Sequence, residues 1–388
     1  MAKLHIQGGC HLSGELSVPG AKNAVLPILT ATLLTDEECV ITNVPNIGDI
    51  YVMCSLLRHL GLQVDFDKDA RVVRVKKNNL LGQVDPTLAL KLRASILLLG
   101  PLFSQLSSFT MPYPGGCILG RRPLDPHFKL IEAFGAEVLS YSDSFQISRR
   151  TELSGKRVFL PEASVTVTEN ALMLASTIDG ETTICNAASE PHVENLAAML
   201  IKMGATIQGA GTNTIIVQGK KKLSGCTIEI IPDQIEVGTW AIAAALTKGN
   251  IVVRDVILEH LDIILLKLAE AGIGYDLKKN GEKTDLHVDA RDNKGFKATN
   301  LTTNLWPGFP TDLQAPYAVL MTQAKGVSLV HDWMYEGRLF YIDKLIRMGA
   351  DITLCDPHRA IVYGPTPPQG KKLESPDLRA GMALVLAG

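Results

Sequence analysis

Five times along this 388-residue chain, an amphipathic helix stops at a glycine and gives way to a short strand, a turn and a second strand. The copies read SLLRHLGLQVDF with RVVRV, KLIEAFGAEVLS with FQIS, AMLIKMGATIQG with TIIVQG, LLKLAEAGIGYDL with LHV, and KLIRMGADITLC with AIVYG. Their glycines, Gly61, Gly135, Gly204, Gly272 and Gly349, recur about 70 residues apart, a longer period than common solenoid repeats use. A glycine just past a helix supplies the left-handed turn that ends it, and alternating apolar residues then continue as a strand. The pattern predicts an α/β fold of βαβ-type units with internal pseudo-symmetry, helices buried and sheets outside.

The other half of each unit is a helix whose beginning carries polar or charged groups. These beginnings are Gly20-Ala-Lys-Asn23, Lys91-Leu-Arg93, Ser164-Val-Thr166, Asp233-Gln-Ile-Glu236, Thr311-Asp312 and Asp377-Leu-Arg379. Each leads into a run apolar nearly all round, such as AVLPILTATLL or WAIAAAL, which marks a helix buried inside a domain. Helix beginnings expose unsatisfied N–H groups and partial positive charge, so they attract anions. Six beginnings stand against five glycine-terminated helices, so the sixth unit is read as incomplete, and an end at Gly388 implies poor closure, uncovered apolar surface and weak or no activity.

The length exceeds one ordinary core, so two domains are expected. A net charge of −2 argues against a dedicated nucleic-acid binder or a polybasic membrane protein. Seven cysteines without a CxxC pair suit a reducing compartment and mostly buried, inert thiols. The start MAKLHIQGGC has no signal-peptide pattern, and the longest apolar run, around Ala94–Phe103, is too short to span a bilayer. The expectation is a soluble cytoplasmic protein, a monomer with small-molecule substrates and no nucleic-acid or membrane partner.

Chemistry is expected first in MPYPGGCILGRRPLDPH, residues 111–127. Gly115, Gly116 and Gly120 let the backbone bend close to a ligand, and Arg121 and Arg122 favour a thiolate at Cys117. The alternative is a surface loop without chemistry. Lys22, Arg93, Arg122 and Arg379 near helix beginnings point to a polyanionic ligand. Asp312 reads either as a helix cap or as a general base near a sugar hydroxyl, and Asp233 reads as a cap. Asp125 and His127 are read as shaping the arginine loop. The histidines lack metal-ligand spacing, so no metal is expected, and no nucleotide-fold glycine motif follows a strand.

The segments PGAKNAVLP (19–27), KLRAS (91–95), PGGCILGRRPLDPH (114–127), PGFPTDLQA (307–315) and DLRAG (377–381), in that order, resemble the UDP-N-acetylglucosamine 1-carboxyvinyltransferase (MurA) family over essentially the whole chain. The resemblance implies the two-domain inverse α/β, barrel-like enolpyruvyl transferase fold, three such units per domain, with a cleft that closes on substrate. Residues 1–21 plus 231–388 would form one domain, and 22–230 a second carrying the Cys117 lid loop. It implies transfer of the enolpyruvyl group of phosphoenolpyruvate to the 3′-hydroxyl of UDP-N-acetylglucosamine, the first committed step of peptidoglycan synthesis, with no cofactor. Cys117 matches the proton donor that can bond covalently to phosphoenolpyruvate and that fosfomycin alkylates, and Asp312 matches the base. Lys22, Asn23, Arg122 and Arg379 match phosphoenolpyruvate contacts. Asn23, Arg93, Arg122, Pro123, Leu124, Asp125, Pro126, Ser164, Val165, Asp312 and Met334 match contacts to the nucleotide sugar.

Departures from the family pattern stand at Gly48, often Lys; Glu162 and Thr166, around Ser164; Gln234, for an Arg; and Gly337, for an Asn. Thr166 is expected to crowd the diphosphate. Two other readings share these residues. One is 5-enolpyruvylshikimate-3-phosphate synthase, against which the PGGC and PLDPH segments argue. The other is a non-catalytic or impaired paralogue that binds a UDP-sugar.

Overall fold

The computed structural model describes residues 3–116, 123–281, 283–375 and 377–388. The chain divides into two compact units: residues 3–18 with 232–388, and Pro19–Gly116 with Pro123–Ile231. The expected boundaries at 21/22 and 230/231 shift by one to three residues. The reason is local: the Gly20 N–H donates to the Asn43 carbonyl at 3.1 Å and the Ala21 N–H to the Ile231 carbonyl at 2.8 Å, which ties both ends into the second unit.

Strand β1 (Ser13–Ser17) opens the chain. In the second unit, α1 (Lys22–Ala31), β2 (Cys39–Thr42), α2 (Gly48–His59), β3 (Leu62–Asp67) and β4 (Val72–Lys77) make the first copy of the repeat. The second copy is α3 (Pro86–Ala89), a 3-10 turn at Arg93–Leu98, α4 (Leu99–Gln105), β5 (Ser108–Pro112), α5 (Asp125–Ala133), β6 (Ala136–Ser140) and β7 (Ser144–Arg149). The third is β8 (Arg157–Phe159), α6 (Val165–Ala175), β9 (Gly180–Cys185), α7 (Pro191–Lys202), β10 (Thr206–Gln208) and β11 (Thr214–Gly219), and β12 (Thr227–Glu229) follows it. In the first unit, α8 (Gln234–Leu246), β13 (Asn250–Val256), α9 (Asp262–Glu270), β14 (Asp276–Asn280) and β15 (Lys283–Asp289) make the fourth copy. The fifth comprises β16 (Phe296–Lys297), β17 (Leu301–Thr302), a 3-10 turn at Thr311–Leu313, α10 (Gln314–Thr322), β18 (Ala324–His331), α11 (Ile342–Arg347), β19 (Asp351–Asp356) and β20 (Arg359–Gly364). Helix α12 (Leu378–Ala387) comes last.

Each sheet repeats one pairing rule. The two strands of the hairpin pair antiparallel, the second of them also pairs antiparallel with the strand after the buried helix, and that strand takes a parallel neighbour on its far side. The orders are β12-β2-β4-β3, β10-β11-β9-β8, β1-β13-β15-β14 and β16-β18-β20-β19, with β5-β7-β6 extended by a parallel bridge from Gln83 to Thr110. The sequence pattern did not show the parallel strands. Two of them are exchanged: β1 precedes α1 but pairs with β13, and β12 precedes α8 but pairs with β2.

Gly61, Gly135, Gly204, Gly272 and Gly349 all have positive φ, each two residues past its helix. At Gly61 a Cβ would lie 1.9 Å from the Asn79 carbonyl oxygen, so backbone conformation and space both demand glycine. Each unit has its own core. In α1, Ile28 and Leu29 are fully buried, and each such side chain contributes about 1.5–3 kcal/mol.

Two helices depart from expectation. The run after Arg93 begins as a 3-10 turn, because Pro101 has no N–H to bond the Leu97 carbonyl and its ring crowds that oxygen. Helix α12 buries only Ala380 and Ala383 fully, leaving Leu378, Met382 and Val385 exposed.

Candidate active site

In the first unit, cis-Trp306–Pro307 and the turn Thr311–Leu313 lead into α10. Asp312 is not the cap of this turn, whose cap position holds Pro310. Its carboxylate is gripped by two guanidiniums instead: Arg338 Nη2 donates to Oδ1 at 2.9 Å, and Arg379 Nη2 lies 3.0 Å from Oδ2. The capping reading of Asp312 is therefore replaced by a charge cluster.

Arg338, missed in the sequence, is almost fully buried. Its Nε donates to Thr311 Oγ1 at 3.0 Å, and that hydroxyl donates to the fully buried carboxylate of Asp332. The guanidinium also stands 5.1 Å from the centre of the Tyr335 ring. Asp332 organises the turn that carries Met334: its Oδ1 accepts the Met334 N–H at 3.1 Å, and its carbonyl accepts from His358 Nδ1 at 2.7 Å. In the sequence only the neighbouring Gly337 stood out, and nothing in the spacing of Arg338 announces a partner 26 residues upstream.

Arg379 starts α12, whose cap is Asp377, accepting the N–H groups of Arg379 at 2.7 Å and Ala380 at 3.0 Å. Burial works against the Arg379 charge, but the carboxylates of Asp312, Asp233 and Glu236 outweigh it and hold the guanidinium above its usual value. Asp233 caps α8, accepting from the N–H of Ile235 at 2.9 Å and of Glu236 at 3.4 Å. Asp312, Arg338 and Arg379 thus form one fixed array of a carboxylate between two cations.

In the second unit, Lys22 is the first residue of α1 and its ammonium pairs with Asp49, the second residue of α2, at 2.7 Å. Asn23 follows it, half-buried. The backbone at Gly115 is pressed against the end of α3: the Gly115 N–H donates to the Ala89 carbonyl at 3.2 Å, and a Cβ there would lie 1.8 Å from the Leu90 carbonyl oxygen. Cys117, Arg121 and Arg122 lie outside the described residues.

Pro123–Pro126 enter α5, with Leu124 buried at its cap and Pro123 and Asp125 exposed. His127 in the next position is buried and anchors this segment to α6. Asn170 Oδ1 accepts the Gly100 N–H at 2.6 Å, which fixes the orientation of the amide. Asn170 Nδ2 therefore faces His127 Nδ1, at 3.2 Å, as a donor. It follows that Nε2 carries the proton and donates to Thr166 Oγ1 at 3.2 Å. Burial, and then the charge of nearby Arg93, push His127 down to about 3, so the ring stays neutral. Thr166 is a partner of His127, one residue into the helix that Ser164 and Val165 begin.

Behind that helix beginning, Glu169 is completely buried and its Oε1 has no hydrogen-bond partner among the described residues. Burial, reinforced by Glu190, pushes this carboxyl well up, so it is held protonated. The structure thus joins Asp312 with Arg379, and Arg93 with His127 and the start of α6, while Lys22 is held by Asp49. Among the described residues no group of three or more His, Cys, Asp or Glu side chains is arranged to hold a metal ion.

The fold is that of the enolpyruvyl transferases. Residues 6–388 match the family described as EPSP synthase (3-phosphoshikimate 1-carboxyvinyltransferase). The structure resembles the enolpyruvyl transferase NikO from Streptomyces tendae, with a TM-score of 0.85 at 21% identity, covering 98% of this chain and 89% of that one. It also resembles EPSP synthase from Acinetobacter baumannii, with a TM-score of 0.74 at 20% identity, covering 98% and 90% of the two chains. Sequence similarity narrows the class. The UDP-N-acetylglucosamine 1-carboxyvinyltransferases of Treponema denticola and Bradyrhizobium diazoefficiens are 41% and 42% identical over 387 residues, spanning 98% of this chain and 90% and 89% of theirs. The chain belongs to the UDP-N-acetylglucosamine 1-carboxyvinyltransferase family.

Proposed function

We propose that this protein transfers the enolpyruvyl group of phosphoenolpyruvate to the 3′-hydroxyl of UDP-N-acetylglucosamine and releases phosphate, as the committing step of peptidoglycan synthesis. The observation that carries this reading is identity of about 40% along nearly the whole chain to enzymes of that name. The carboxylate array at Asp312 supports it, because the reaction needs a base for the hydroxyl proton and an acid for the methylene carbon of phosphoenolpyruvate. The 3′-oxygen attacks C2 as C3 gains a proton. Loss of a C3 proton and departure of phosphate then restore the double bond.

In this reading Asp312 takes the hydroxyl proton while Arg338 and Arg379 fix its carboxylate. Cys117 supplies the proton to C3 and is the residue that fosfomycin alkylates. Lys22, Asn23, Arg122 and Arg379 hold phosphoenolpyruvate, whose phosphate competes with Asp49 for Lys22. Arg122, Pro123, Leu124, Asp125 and Pro126 hold the uridine, and Ser164 and Val165, with Arg93, hold the diphosphate. Asn23 and Met334 touch the sugar. The two units act as the two domains of the enzyme, with Cys117 on a lid. No helix among the described residues is long and apolar enough to cross a membrane, and the reading places the protein in the cytoplasm as a monomer.

Phosphate release from phosphoenolpyruvate tests the acceptor. Release that requires UDP-N-acetylglucosamine supports the assignment. Release that requires shikimate 3-phosphate instead assigns the protein to the other branch of its fold, and nucleotide-sugar binding without release makes it a non-catalytic paralogue.

A further inference from the structure

Cys39 and Cys226 stand at opposite ends of the second unit's sequence, yet its first sheet sets them side by side. Strand β12 runs parallel to β2 with Thr227 opposite Val40 and Ile228 opposite Ile41. One step back along both strands brings Cys226 opposite Cys39, and there the Val40 N–H donates to the Cys226 carbonyl at 2.9 Å. Side chains alternate along a strand, and the next pair on the same face, Ile41 and Ile228, is buried. Both sulfurs therefore lie on the core face of the sheet, side by side across the parallel pair. Neighbouring strands lie about 4.8 Å apart, inside the range of roughly 4.4–6.8 Å between Cα atoms that a disulfide bridges.

Solvent reaches only one member of the pair. Cys39 is completely buried, while Cys226 is half-buried at the edge strand, with the Lys202 ammonium donating to the adjacent Thr227 carbonyl at 3.1 Å. We propose that Cys39 and Cys226 are a disulfide-forming modification site, oxidised by hydrogen peroxide or an organic hydroperoxide. The Cys226 sulfur attacks the peroxide, breaking the O–O bond to give a sulfenic acid and hydroxide (or an alkoxide), which takes up the Cys226 thiol proton and leaves as water (or an alcohol). The Cys39 sulfur then attacks the Cys226 sulfur, the S–S bond forms and water leaves. Two thiols lose two electrons and two protons, and the peroxide is reduced. The neighbouring Cys226 thiol draws Cys39 down against its burial, while Cys39 and burial push Cys226 up. The Lys202 charge opposes this rise and favours negative charge on the Cys226 sulfur as the peroxide is attacked.

The bond would lock the segment that closes the second unit. Directly after β12, the Ile230 N–H donates to the Thr42 carbonyl at 3.1 Å, Asn43 Nδ2 to the Ile230 carbonyl at 2.9 Å, and the Ala21 N–H to the Ile231 carbonyl at 2.8 Å. The last of these anchors the beginning of α1. The loop closed by the bond takes in nearly the whole unit, and long loops gain most from a cross-link.

The test treats the full-length protein with hydrogen peroxide, alkylates free thiols, digests without reduction and maps the peptides by mass spectrometry. The expected result is a cross-linked Cys39–Cys226 peptide pair that dithiothreitol separates, with an unfolding midpoint on the order of 5 °C higher in the oxidised protein. The Cys226→Ser variant should show neither change. Because the peptide map of the unmutated protein decides by itself, a variant that fails to fold leaves the test intact. Cys226 recovered as a sulfinic acid, or both thiols recovered alkylated when the exposed Cys10 and Cys355 are oxidised, would overturn the proposal.

Discussion

Asp312 and Arg379 hold each other at 3.0 Å, and the arginine that completes the grip on the carboxylate, Arg338, is almost wholly buried. One carboxylate oxygen belongs to each cation. This fixes the direction in which a remaining lone pair points, which is what a base needs before a substrate arrives. The same pair occupies the carboxylate that the capping reading of Asp312 would have turned to the backbone.

Replacing Asp312 with Asn keeps the shape and removes the charge. Turnover is expected to fall at least about 100-fold, with KM for UDP-N-acetylglucosamine changed only a few-fold, because a base acts in the transition state rather than in ground-state binding. Steady-state kinetics with both substrates varied would show it. Equal losses in kcat and in affinity would reduce Asp312 to a binding residue.

His127 makes a separable claim through acid stability. Its folded value of about 3 lies below its ordinary 6.5, so the unfolded chain binds the proton first as pH falls. The stabilisation is whole above pH 6.5 and is lost as pH drops towards 3, by roughly 2 kcal/mol between pH 6.5 and 5. Urea unfolding at several pH values should show this loss in the unmutated protein and its absence in His127→Gln. Identical pH slopes in the two proteins would contradict a neutral, buried ring.

Glu169 works in the opposite direction. Its folded value is raised, so its contribution is whole below the ordinary carboxyl range and is lost as pH climbs through it and beyond. Glu169→Gln keeps the neutral shape without the need to hold a proton. The variant is expected to gain stability relative to the unmutated protein between pH 5 and pH 8, measured by the same unfolding experiment. A relative loss over that interval would mean that the carboxyl is ionised in the fold.

Much of this architecture was legible because its signals are local. A glycine two residues past a helix must turn left-handed wherever it stands, so Gly61 through Gly349 marked the five helix ends from sequence alone. Asp233 read as a cap for the same reason: its acceptor and the N–H groups it serves are two and three residues apart. The exchanged strands were not legible, because the parallel pairing of β12 with β2 joins residues nearly 190 apart through backbone bonds that no side-chain pattern encodes. The grip of Arg338 on Asp312 and the neighbouring of Cys39 with Cys226 were hidden likewise. The bond between Thr166 and His127 was hidden too, because the two residues stand 39 apart in the sequence.

Cys117 provides the clearest chemical signature of the proposed reaction. Incubation with fosfomycin should add the inhibitor covalently to this residue, and Cys117→Ala should abolish the mass increase. Labelling that persists in the variant would move the thiol role elsewhere.

The central claim is the identity of the acceptor, and the product tests it most directly. With carbon-13-labelled phosphoenolpyruvate and UDP-N-acetylglucosamine, mass spectrometry should find the labelled enolpyruvyl unit on the nucleotide sugar, in step with the phosphate released. Phosphate released while the nucleotide sugar stays unlabelled, or label found on shikimate 3-phosphate supplied in its place, would contradict it.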